Sequence, residues 1–189
     1  MRRGIVGGTF DPPHLAHLVV GETAYRQMGL DVVTFIPAGA PWQKLARSVS
    51  DADDRWNMTL CAVDGVDYFV ADDREVRRDG WSYTIDTLEE LPGDDLVLIL
   101  GADAASRLAT WERAKDVLEA ATIAVVPRPG TEKRLVEDSL SDADLVWLDA
   151  PLLDISGSEL RRRARAGASV RFLVREAVWR YIEEHRIYD

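Results

Sequence analysis

The chain has 189 residues, 47% of them hydrophobic and 30% charged, and its formal net charge is −10. That suits one compact domain with an ordinary core and leaves no run of about 20 apolar residues to cross a bilayer. The acidic balance argues against a general nucleic-acid binder, which carries a basic face, but not against a nucleotide site, which needs only a few local cations and amide groups. Cys61 stands alone, so no intrachain disulfide forms and a reducing cytoplasm fits. It reads as a small apolar helix residue, because nothing nearby in sequence looks like its base. The opening residues 1–7 read as a structured strand rather than a secretory leader, since their apolar stretch is too short.

In chain order, residues 3–7 form a short apolar strand that runs into a glycine-rich turn. Residues 14–28 are helical, with Leu15, Leu18, Val19, Tyr25 and Met28 near one face. A β-branched strand over 32–36 ends at Pro37, and Ser50 is placed to cap a helix over 51–62. A third strand covers 68–71, and a helix over 84–91 stops at Pro92-Gly93. Residues 96–100 form a continuous apolar run, as expected of a parallel strand buried on both faces. Residues 123–126 repeat that pattern and 146–148 do so more weakly. The end is helical over 157–165 and 175–185, with Val174, Val178, Tyr181 and Ile182 on one stripe. Strands separated by helix-length segments predict an α/β doubly wound parallel sheet. The expected organisation is a single domain over 1–189, with 157–189 forming a small C-terminal helical extension. Ligands of such sheets bind beyond the carboxyl ends of the strands, which directs attention to the loops after Gly7, Ile36, Ala71, Leu100 and Val126.

The first of those loops reads Gly7-Gly8-Thr9-Phe10-Asp11-Pro12-Pro13-His14-Leu15-Ala16-His17. Glycines allow close backbone approach and positive φ. The prolines fix the exit of the turn, and His14 and His17 then share the first turn of a helix. That turn also presents unpaired N–H groups and the positive end of the helix dipole. Together these features predict a polyphosphate site with two imidazole donors. A Walker loop is absent, which leaves γ-phosphate transfer by that route unsupported, and so is the Gly-x-Gly-x-x-Gly fingerprint. A zinc site is disfavoured because the third histidine, His185, lies far along the chain. Near the other end, Ser156 and Ser158 begin a helix and Arg161 follows one turn later. These residues make either an ordinary capped helix with a basic face or a second phosphate site. Asp103 reads as a helix N-cap and Lys44 as a solvated lysine, and Trp111 suits core and ligand contact equally. Arg55 reads as one partner of a structural ion pair.

The stretch Gly8-Thr9-Phe10-Asp11-Pro12-x-His14-x-x-His17 resembles the signature of the His-x-Gly-His nucleotidyltransferases. Ile155-Ser156-Gly157-Ser158-Glu159-Leu160-Arg161 resembles their second signature. Over its full length the chain is similar to the bacterial nicotinate-nucleotide adenylyltransferase family. Further likeness lies in Pro41-Trp42-Gln43-Lys44, Arg55-Trp56-Asn57-Met58, Trp81-Ser82-Tyr83-Thr84, Gly101-Ala102-Asp103, Trp111 and Arg128-Pro129-Gly130. Ala16 departs from that pattern, standing where the family has glycine.

The resemblance implies a Rossmann-like nucleotidyltransferase fold and a cytoplasmic enzyme of NAD biosynthesis. Its substrates would be ATP and nicotinate mononucleotide, with Mg²⁺ carried in on ATP and no dedicated metal site, nucleic-acid partner or membrane partner. It implies that His14 and His17 are catalytic. Gly8, Thr9, Phe10, Gly101, Asp103, Ser156, Ser158 and Arg161 would bind ATP, and Lys44, Tyr83, Thr84 and Trp111 would bind the acceptor. Sister enzymes using phosphopantetheine or nicotinamide mononucleotide, and a non-catalytic nucleotide sensor, are the rival readings.

Overall fold

The computed structural model describes residues 1–40, 49–140 and 143–189. Six strands make one sheet in the order β3-β2-β1-β4-β5-β6: β1 (Arg2–Gly8), β2 (Val32–Pro37), β3 (Phe69–Ala71), β4 (Asp95–Gly101), β5 (Thr122–Val126) and β6 (Leu145–Trp147). The β1–β4, β4–β5 and β5–β6 pairs are parallel. The order reverses between β1 and β4, the switch point at which such sheets bind ligands. In β4 the central residues Leu96–Leu100 are all buried, as their unbroken apolar run requires.

The helices are α1 (Leu15–Met28), α2 (Ala52–Val63), α3 (Arg74–Arg77), α4 (Thr84–Glu89), α5 (Ala102–Ala105), α6 (Ala114–Ala120), α7 (Lys133–Ser139), α8 (Gly157–Arg165) and α9 (Glu176–His185), with a 3₁₀ turn over Leu108–Thr110. The expected α2 cap is corrected by one residue: the Asp51 carboxylate accepts from the Asp53 N–H and takes the role assigned to Ser50. The Ser50 N–H donates instead to Asp11.

The chain divides into two compact units. One comprises Met1–Gly7, Val19–Thr34 and Tyr83–Leu152, and its core is formed by apolar residues of β4 and β5. The other comprises Gly8–Leu18, Phe35–Ser82 and Leu153–Asp189. Its core joins Met58 and Ala62 of α2 to Leu160 of α8, Val178 and Ile182 of α9, and Val170, Val174 and Tyr188 outside the helices. The spacing of Val174, Val178 and Ile182 puts them on one face of the α9 segment, the stripe visible in the sequence.

Candidate active site

The phosphate loop belongs to the second unit. It leaves β1 at Gly8, and its geometry differs from the expectation in one respect. Gly7 and Gly8 are extended, and the left-handed residue is Phe10, with φ of 49°. Gly8 is needed for space: a Cβ there would stand 2.9 Å from the Phe10 ring. Phe10 is itself buried and packs edge-on to His17, with ring centroids 4.9 Å apart and planes at 87°.

His14 sits just before α1 and is 3% exposed. Its backbone N–H donates to Nδ1 of His17 at 3.1 Å. The two imidazoles stack with centroids 3.7 Å apart. Because Nδ1 of His17 accepts, the proton of the neutral ring resides on Nε2, which makes that nitrogen the donor. The expected pairing of the two histidines is therefore present in space as a stacked, internally bonded pair.

Arg55 of α2 holds the loop's shape. It is 2% exposed and donates to main-chain carbonyls: Nε to Ser50 O at 3.0 Å, Nη1 to Thr9 O at 3.1 Å and to Ala38 O, and Nη2 to Gly39 O at 2.9 Å. The ion-pair expectation is thus replaced by a guanidinium fork that reads backbone. Burial pushes its pKa below the usual arginine value, and the charges of Asp11 and Asp51 pull it back up.

Asp11 gathers the rest. Its carboxylate is fully buried. Oδ1 accepts from the Tyr188 hydroxyl at 2.8 Å and Oδ2 from the Ser50 N–H at 3.1 Å. Arg161 Nη1 donates to the Asp11 carbonyl at 2.6 Å and lies 3.6 Å from Oδ2. The start of α8 is tight against the same peptide, for a Cβ on Gly157 would come within 2.8 Å of the Asp11 carbonyl oxygen. Ser156 caps α8, its Oγ accepting from the Glu159 N–H at 3.3 Å and lying 3.4 Å from Ser158 Oγ. The structure thus brings Gly8, Thr9, Phe10, His14 and His17 together with Arg161 and the α8 start, two stretches far apart in the chain. Sequence reasoning missed Tyr188, which no motif marks, and the backbone-reading role of Arg55.

The remaining candidates lie in the first unit. Gly101 ends β4, and the expected N-cap role of Asp103 passes to it: Gly101 is the α5 cap and Asp103 stands in the first turn. Asp103 Oδ1 is 3.9 Å from Arg128 Nε. Tyr83 is the α4 N-cap residue but its side chain does not cap the helix, and Thr84 is the first helical residue. Trp111 is half-buried between the 3₁₀ turn and α6. Here α4 packs on α6, and Arg113, left-handed at the α6 N-cap, ties them together. Its guanidinium reaches Glu89 at 2.5 Å, Asp116 at 2.6 Å and Asp86 at 4.0 Å. Lys44, with Pro41, Trp42 and Gln43, lies outside the described residues.

No described helix is long and apolar enough to cross a membrane. Among the described residues no group of three or more His, Cys, Asp or Glu is placed to hold a metal ion.

The cytidylyltransferase-like family model matches residues 5–163. A protein of Dehalococcoides mccartyi named "Probable nicotinate-nucleotide adenylyltransferase" is 39% identical over 199 aligned positions, covering 100% of this chain and 97% of that protein. One of the same name from Salinibacter ruber is 41% identical, with 100% and 98% covered. The nicotinic acid mononucleotide adenylyltransferase of Plasmodium falciparum complexed with NaAD has the same fold. It superposes with a TM-score of 0.80 at 18% identity, covering 100% of this chain and 97% of that one. These matches run through both motifs, and the chain belongs to the cytidylyltransferase-like family and, within it, to the nicotinate-nucleotide adenylyltransferases.

Proposed function

We propose that this chain transfers the adenylyl group of ATP to nicotinate mononucleotide, forming nicotinate adenine dinucleotide and pyrophosphate in NAD synthesis. The observation that carries the reading is that Arg161 and the α8 start seat on the Asp11 peptide, in the same loop that ends in the stacked His14–His17 pair. Two donor sets far apart in sequence address one place, which suits a polyanion longer than a single phosphate. Names of relatives spanning the whole chain support the acceptor.

The acceptor's 5′-phosphate oxygen attacks the α-phosphorus of ATP in line. The new P–O bond forms as the bond to the bridging oxygen breaks, and pyrophosphate leaves with that electron pair. A phosphate ionised at neutral pH needs no general base, so catalysis rests on positioning and charge stabilisation. His17 Nε2 donates toward the α-phosphate. His14, Ser156, Ser158, Arg161 and the Gly8–Phe10 backbone hold the other phosphate oxygens. Gly101 and Asp103 take the adenosine. Tyr83 and Thr84 read the nicotinate carboxylate, Trp111 stacks on the ring, and Lys44 assists with acceptor or triphosphate oxygens. Mg²⁺ is substrate-borne, bound by the hard oxygens of ATP and water. Asp11 is a poor candidate ligand, since its carboxylate already accepts from Tyr188 and Ser50. The lone Cys61 fits a cytoplasmic setting.

Pyrophosphate release from ATP, followed with nicotinate mononucleotide, nicotinamide mononucleotide and phosphopantetheine in turn, tests this reading. Fastest turnover with nicotinate mononucleotide is expected. Release with none of the three would return the chain to a nucleotide sensor.

A further inference from the structure

The mechanism above leaves one buried polar contact unused: Tyr188, beyond α9, donates its hydroxyl to Asp11 in the middle of the phosphate loop. The ring is 3% exposed and belongs to the apolar cluster of Met58, Val178 and Ile182. A phenylalanine would pack there equally well. The hydroxyl is the part of the side chain that apolar packing does not explain, and a buried hydroxyl needs an acceptor. Burial raises its pKa far above the usual tyrosine value, and the neighbouring Asp11 charge adds to the effect, so it stays a donor at every physiological pH.

Asp11 is where the two phosphate-binding stretches meet. Its Oδ2 takes the Ser50 N–H and faces Arg161 at 3.6 Å, and its carbonyl takes Arg161 Nη1 at 2.6 Å. Resting on the adenylyl-transfer reading, we propose that Tyr188 is a positioning residue for the reaction, holding the Asp11 carboxylate so that Arg161 and the His14–His17 pair address the same triphosphate. The physical reason is competition for one cation. With the Tyr188 hydroxyl in place, Oδ1 is satisfied and Arg161 engages Asp11 chiefly through the carbonyl. Without it, a fully buried carboxylate lacks a donor, and Arg161 is the cation already beside it. The guanidinium then turns to pair with the carboxylate, the geometry that Arg–carboxylate contacts favour, and is withdrawn from the phosphates. Tyr188 touches no substrate and acts through Asp11.

The test compares wild type, Tyr188→Phe, Asp11→Asn and the double variant. Affinity for α,β-methylene-ATP is read by calorimetry, and KM for each substrate and kcat by pyrophosphate release. Tyr188→Phe is expected to weaken analogue binding and raise KM for ATP about 10-fold, the scale of one hydrogen bond to a charged group, while KM for the acceptor stays within about twofold. In the Asp11→Asn background the same change should add less than about twofold. A Tyr188→Phe protein that melts earlier but binds the analogue as tightly as wild type would make the contact merely structural and overturn the proposal. Losses that multiply in the double variant would do the same. If Tyr188→Phe does not fold, Asp11→Asn decides: with no carboxylate left to compete for Arg161, analogue affinity at or above the wild-type value supports the proposal, and a loss of about 10-fold or more sinks it. Failure of the wild type to use nicotinate mononucleotide would refute the acceptor alone, because analogue binding reads Tyr188 independently of it.

Discussion

The backbone N–H of His14 donates to Nδ1 of His17 across 3.1 Å, and the two rings lie stacked above it. The pair is thus one unit in which His14 sets the tautomer and His17 presents Nε2–H. His17→Ala should lower kcat by about 10²–10⁴-fold, the range for losing a positioned donor or acid, with little change in melting temperature. Single-turnover kinetics on the folded variant check this, and near-wild-type turnover would remove His17 from the chemistry.

Arg161 braces the Asp11 carbonyl and is proposed to meet phosphate as well. Arg161→Ala is expected to weaken binding of an ATP analogue by about 1.5–3 kcal/mol and to leave acceptor binding without ATP unchanged. Arg161→Lys should recover little, since one ammonium lacks the planar fork needed to serve a carbonyl and an anion together. Calorimetry on both variants settles the point, and full recovery by lysine would mean that only charge matters.

Gly157 is required by space rather than by dihedral freedom, because a Cβ meets the Asp11 carbonyl, a backbone atom that cannot swing aside. Gly157→Ala should cost about 1–3 kcal/mol of stability through overpacking and raise KM for ATP, while KM for the acceptor holds. Denaturant melts and steady-state kinetics on one preparation check both halves. A variant as stable and as active as wild type would show that α8 can retreat freely.

Preference for the acid over the amide acceptor should rest on hydrogen bonding at the start of α4. That helix has only six residues, so its dipole contributes little, and the donors themselves discriminate. An amide aims its own NH₂ at protein N–H groups and leaves them unpaired, at about 1–3 kcal/mol. This is on the order of 10- to 100-fold in kcat/KM. Equal values for nicotinate and nicotinamide mononucleotides under the same ATP concentration would refute the recognition scheme.

Arg113 ties α6 to α4 through Glu89 and pairs with Asp116 in its own helix, and α4 and the segment before α6 carry the proposed acceptor residues Thr84 and Trp111. Arg113→Ala should raise KM for the acceptor a few-fold while KM for ATP and the melting temperature barely move, since exposed pairs contribute little to stability. A change in ATP affinity instead would place Arg113 outside the acceptor site.

Much of this fold is legible in the residue pattern. β4 and β5 announce themselves by apolar runs bounded by turn residues, and α9 by its stripe. The short helices α3, α5, α6 and α7 are not legible individually, because four to seven residues are too few for a 3.6-residue period to show. In the site, the His14–His17 pair and the Ser156–Arg161 turn are local patterns and could be found. The carbonyl contacts of Arg55 join positions remote in the chain, and backbone acceptors leave no trace in residue identity. The left-handed residue was expected among the glycines and is Phe10 instead: the glycines complete an extended strand, so the reversal falls after them.

Because Arg55 grips main-chain oxygens, its hold on the chain is independent of which side chains those residues carry. Thr9, Ala38 and Ser50 each lend only a carbonyl to the guanidinium. The grip itself therefore survives a change of residue type at any of the three, although the Ser50 hydroxyl has its own partner in Tyr188. Gly39 is the exception, since any side chain there would run into the Glu75 carbonyl. Natural drift or deliberate redesign can thus change the residue at Ala38 while the contact with the guanidinium is inherited intact. Substituting Arg55 itself would release all four carbonyls at once, so the freedom at these positions depends on the one buried cation that joins them.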